Sequence, residues 1–122
     1  YTTGKELEPI IKDCEFVIVP SEWYEPSPYV VLQSFSYGKP IVAANMGGLN
    51  DLIVNNVNGL LFNAGNPESL SQTINNLLND KDLIRKMGTN AREILETKYN
   101  PERYYADTMS VFTNLINAKS NI

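Results

Sequence analysis

One stretch constrains the fold more than any other: VIVPSEWYEPSPYVVLQSFSYGKPIVAA, running from Val17 to Ala44. It reads as strand, loop, helix, turn and strand, about the length of one βαβ unit. Val17–Val19 is a β-branched run that ends at Pro20. Ser27 is expected to cap a helix whose first position is Pro28, a common pairing at helix starts. Gly38 closes that helix, Pro40 stops it from resuming, and Ile41–Ala44 is a second buried strand. Short apolar strands on both sides of a helix imply a parallel sheet covered on both faces. In such sheets ligands bind beyond the carboxyl ends of the strands, where the loop enters the helix. Here that loop carries Glu22, Trp23, Tyr24, Glu25 and Ser27. A purely connecting segment has little need of two acids and two aromatics, so function is sought there.

The flanking sequence extends the same layout. Thr3 and Glu6 have capping-box spacing ahead of Leu7, Ile10 and Ile11, which predicts a helix over residues 4–13. Gly47 and Gly48 make a turn, Leu49, Leu52 and Ile53 a short helix, and Leu60–Phe62 a third strand. Asn66-Pro67-Glu68, Asp80 and Asn100-Pro101-Glu102 each carry a helix-start signature. They predict helices from Pro67, from Asp80 to about Lys98, and from Pro101 to about Ala118. Gly88 interrupts the second pattern at a cost of about 1 kcal/mol relative to Ala. No repeat or linker divides residues 1–122, which read as a single domain. Roughly half the chain, from Pro67 onward, is helix, which is out of proportion to three strands. The chain therefore reads as the latter part of a larger α/β domain, and Tyr1 is not an initiator methionine.

Composition excludes several functions. Net charge is −4, so no basic surface is on offer to nucleic acid. Without histidine and with Cys14 as the single cysteine, a zinc site or a disulfide framework is not expected. Cys14 itself reads as a small core residue. No apolar run approaches the length of a membrane span.

Several motifs at fixed spacing carry a family resemblance. Pro20-Ser21, Glu25, Gly38-Lys39-Pro40 and Gly47-Gly48, with NGLLF and GNPESL after them, occur in order. The chain thereby resembles the C-terminal domain of family-four retaining glycosyltransferases, two-domain GT-B enzymes. That pattern is Pro-Ser, Glu, a second Glu eight positions later, Gly-x-Pro, Gly-Gly and an acid three residues on. Three positions depart from it: Gln33 replaces the second Glu, Pro28 a small Gly, and Asp51 the last acid. The family's pyrophosphate-gripping Arg and Lys, and its N-terminal acceptor domain, have no counterpart in these residues.

The resemblance implies a Rossmann-like parallel sheet flanked by helices, ending in a long helical tail. It implies retaining transfer of a hexose from a UDP- or GDP-sugar to a glycan or lipid acceptor, with no cofactor and no metal. Glu25 would be the catalytic residue, facing the donor sugar, and Gln33 would face the ribose. Ser27, Pro28, Tyr29 and Val30 would complete the donor site, with the Tyr29 and Val30 amides toward phosphate. Helical side chains lean toward the N-terminus, so Glu25 and Gln33 are expected to face one pocket. Trp23 and Tyr24 read as a cluster anchoring the loop ahead of a platform for substrate. A cytoplasmic location is expected, with peripheral membrane contact in the full-length enzyme. The apolar side of the last helix would reach the absent domain or pair with a second copy. The alternative reading, which Gln33 favours, is a noncatalytic Rossmann-like interaction or regulatory module.

Overall fold

The computed structural model of the protein describes residue 2 and residues 4–120. A 3₁₀ turn, Gly4–Glu6, leads into α1 (Leu7–Asp13), followed by β1 (Val17–Val19), α2 (Tyr29–Ser36), β2 (Ile41–Ala44) and α3 (Leu49–Leu52). Then come β3 (Gly59–Phe62), α4 (Pro67–Leu78), α5 (Lys81–Lys98) and α6 (Pro101–Ser120). The strands form one parallel sheet in the order β1-β2-β3, with Val17 opposite Ile41 and Ala43 opposite Leu61. Parallel neighbours need a crossover, and α2 and α3 supply the two.

β2 is the middle strand, and its four residues are all buried. Each is apolar because side chains on both of its faces meet packed helices. Around it gather Val31 and Phe35 from α2, Leu49 from α3, Leu77 from α4, and Met87 and Ala91 from α5, none more than 1% exposed. Asn58 is the buried exception. It donates to the Leu52 carbonyl at 3.0 Å and accepts from the Val54 amide at 2.8 Å, which shapes the turn into β3.

Local signals place most helix starts. The side chains of Asn66, Asp80 and Asn100 accept from the amides of Ser69, Leu83 and Arg103 at 2.9, 2.9 and 2.7 Å, each satisfying an amide with no intrahelical partner. Gly38 closes α2 at φ 65°. At α1, Thr3 lies outside the described residues; Glu6 holds the cap position without a side-chain cap bond.

The start of α2 differs from the expectation. Pro28, not Ser27, is the N-cap, with φ −69° and ψ 116°, and no side chain caps the helix. Proline's fixed φ suits an extended cap as well as a first helical turn, and Pro28 is buried in the cap conformation. Its carbonyl accepts from the Val31 amide at 3.1 Å. Ser27 is exposed outside the helix.

Gly88 has a packing reason. A Cβ there would stand 2.3 Å from the Gly38 carbonyl oxygen, so α5 crosses the end of α2 at backbone contact. Gly88→Ala is therefore expected to destabilise the fold by about 1–3 kcal/mol, although Ala is the better helix former. Urea denaturation measures it, and a stabilised variant would refute this crossing.

α6 behaves unlike the other helices. It runs for 20 residues, none of them buried. Tyr104, Tyr105, Met109, Phe112 and Leu115 are all exposed.

Candidate functional site

The carboxyl ends of the strands carry three connections: residues 20–28 into α2, residues 45–48 into α3 and residues 63–66 into α4. The first two are locked together. The Gly48 amide donates to the Glu25 carbonyl at 2.8 Å. A Cβ on Gly48 would fall 1.9 Å from the Pro26 carbonyl oxygen, and one on Gly47 would fall 3.1 Å from that of Glu25. Gly47 also sits at φ 56°, where glycine alone is unstrained. The Gly-Gly pair thus approaches another backbone, the one that carries Glu25.

Glu25 is half-buried, and its carboxylate accepts from the hydroxyl of buried Ser21 at 3.1 Å. Backbone clamp and hydroxyl together fix where this carboxylate stands. Ser21 had entered the reading only as part of a motif. Its position four residues before Glu25, in a chain that bends between them, was the signal for a supporting role.

Downstream, Tyr29 and Val30 open α2. The first amides of an α-helix have no intrahelical acceptor, and with Pro28 as cap no side chain competes for them. They sit at the positive end of an eight-residue helix. Gln33 lies one turn on, half-buried, and its carbonyl accepts from the Ser36 hydroxyl at 2.7 Å. Among the described residues no hydrogen bond joins Gln33 to Glu25. Asp51 is exposed in the first turn of α3.

Trp23 and Tyr24 do not anchor the loop. They are 68% and 81% exposed. The clamp on Glu25 and Pro26 already holds the backbone, so aromatic packing is not needed for that purpose. Tyr29, also exposed, borders a groove of about 930 Å³ between α2 and the α5–α6 junction, where Leu32, Tyr99 and Tyr104 also line it. Glu22 borders a smaller cavity of about 140 Å³ with Pro20, Phe62 and Asn66, at the ends of β1 and β3.

Cys14 is half-buried rather than part of the core, and its thiol donates to the Ile11 carbonyl at 3.1 Å. Burial raises its pKa, so it stays a protonated thiol at neutral pH and a poor nucleophile. No group of three metal-ligating side chains gathers among the described residues. No helix among them is long and apolar enough to cross a membrane.

A parallel α/β layer with a clamped acidic loop ahead of an uncapped helix defines a ligand-binding domain of the GT-B type. The chain belongs to the glycosyl transferases group 1 family, which it matches over residues 1–94. It is 29% identical over 112 residues to an uncharacterized glycosyltransferase of Methanocaldococcus jannaschii, covering 92% of this chain and 28% of that protein. Anabaena HepE, solved in complex with UDP-glucose, superposes with a TM-score of 0.71 at 25% identity, over 93% of this chain and 29% of HepE. A glycosyltransferase from Rickettsia africae shares the fold at a TM-score of 0.85 and 19% identity, over 95% of this chain and 31% of that one. The chain thus spans less than a third of the length of these proteins.

Proposed function

We propose that this domain binds a nucleotide-diphosphate sugar where the clamped loop enters α2, and serves retaining transfer of a hexose to a glycan or lipid acceptor. The observation that carries the reading is the Gly47-Gly48 clamp, which presents Glu25 on a fixed backbone directly before the uncapped N-terminus of α2. Glu25 faces the donor sugar. The amides of Tyr29 and Val30 and the helix dipole meet the diphosphate, where negative charge grows as the anomeric C–O bond breaks. Ser27 and Pro28 form the approach to those amides, and Gln33 meets the ribose hydroxyls. No metal or other cofactor is assigned to this site. HepE's complex with UDP-glucose supports a donor of this class.

Acceptor positioning falls to the N-terminal domain of a full-length, cytoplasmic enzyme with peripheral membrane contact. The exposed apolar row of α6 is covered there by that domain, or by a second copy when this chain stands alone. Polysaccharide biosynthesis is the process that such a transferase serves.

The expected affinity of the chain for UDP or GDP is millimolar or weaker. Two missing charge-assisted contacts, at about 1.5–3 kcal/mol each, lower it by roughly two to four powers of ten. Gln33→Glu should tighten binding by about 1 kcal/mol or less, since a carboxylate accepts ribose hydroxyls better than an amide but repels the phosphates. Glu25→Gln should leave nucleotide affinity nearly unchanged. Titrations of the three proteins with UDP measure both. A Gln33→Glu variant that binds no better removes Gln33 from the site and favours a noncatalytic interaction module.

A further inference from the structure

We infer that Trp23 and Tyr24 form an aromatic rim that receives a pyranose ring of the acceptor, which makes the acceptor at this site a glycan. The inference rests on the donor-site reading above and names the second substrate of that site.

Four observations carry it. The two side chains are 68% and 81% exposed, in a loop whose backbone is fixed without them. A large apolar surface left in water on an already ordered loop marks a binding surface more readily than a folding one. The rim immediately precedes Glu25, so whatever rests on it lies beside the sugar to be transferred. Its neighbours Glu22 and Glu25 are acids, one exposed and the other half-buried. Rings that cover a sugar's C–H face, beside carboxylates that accept its hydroxyls, are the chemistry of carbohydrate recognition.

The same acids argue against the other occupants. An anionic membrane surface would be repelled by Glu22, and loops that bind such surfaces carry Lys or Arg instead. The centre of a protein interface is depleted in Glu. Pro26 and Pro28 stiffen the segment further, so little ordering is required when a ring docks.

Trp23 is the only tryptophan in the chain, so its fluorescence reports on the rim alone. Emission is followed while neutral methyl pyranosides (gluco, galacto and manno) and maltotriose are added, and separately while phosphatidylglycerol vesicles are added. The expected result is a saturable blue shift with at least one saccharide and none with vesicles. Tyr24→Ala keeps the reporter and should weaken that response by about tenfold. Because Tyr24 is exposed, the variant folds as the parent does, and amide spectra verify this. No response to any saccharide, at concentrations where UDP perturbs the α2 amides, would overturn the inference and leave the donor site standing. A response to vesicles alone, or one unchanged in Tyr24→Ala, would overturn it too. Failure of UDP to perturb those amides is a separate result that strikes the donor site.

Discussion

Gly48→Ala is expected to cost about 3 kcal/mol of stability and to abolish the nucleotide response together. The added methyl would sit 1.9 Å from the Pro26 carbonyl oxygen and 2.5 Å from its carbon. Backbone cannot swing aside as a long side chain does, so either the 45–48 turn or the Glu25 loop must move. Overpacking of this kind costs about 1–3 kcal/mol, and a backbone-to-backbone clash belongs at the upper end. Movement of the loop also loses the bond from the Gly48 amide to the Glu25 carbonyl and shifts the entry to α2. Gly65→Ala is the control. Gly65 adopts φ 72° with nothing within 4 Å of its would-be Cβ, so that variant carries backbone strain alone, about 1–2 kcal/mol. Denaturation curves of both variants, each with a UDP titration, separate clash from strain. A Gly48→Ala protein as stable as Gly65→Ala, binding UDP normally, would rule out the clamp.

The second large effect contrasts two phenylalanines. Phe35 on α2 has no exposed surface, whereas Phe112 on α6 is 55% exposed. Phe35→Ala empties the space under the β2 strand, and truncations of this kind cost about 3–5 kcal/mol. Native domains hold only about 5–15 kcal/mol in total, so much of the stability disappears with one ring. Phe112→Ala removes a side chain already largely in water and should change stability by about 0.5 kcal/mol or less. Thermal and urea unfolding decide between these. Comparable losses from the two variants would mean that α6 is packed after all.

That contrast marks where the sequence was readable and where it was not. The caps at Asn66, Asp80 and Asn100 were legible because a cap is settled within four residues of chain. β2 was legible because a four-residue apolar run beside a Pro has few other homes. The start of α2 was misplaced by one residue, since proline's φ fits both sides of a helix boundary and only burial chose. α6 was recognisable as a helix, but whether its apolar residues were covered depends on packing that periodicity does not report. Gly48 and Gly88 show the same limit. Each looked like a turn or a flaw, and each is a place where two distant segments meet at backbone contact. Trp23 and Tyr24 inverted the usual expectation for aromatics because the glycine clamp had already ordered their loop.

For the candidate site, the motif spacing located the loop and Glu25, but the partner that orients Glu25 emerged only from the fold. Ser21 needed the bend at residues 22 and 23 to bring its hydroxyl round to the carboxylate.

The central claim is that a nucleotide diphosphate binds at the N-terminus of α2. Amide chemical-shift mapping of the ¹⁵N-labelled chain during UDP and GDP titrations tests it most directly. The account predicts saturable shifts confined to residues 27–33 and the Gly47-Gly48 turn, largest at Tyr29 and Val30. Shifts elsewhere with none between Ser27 and Gln33, or no shifts at all into the tens of millimolar, would contradict it.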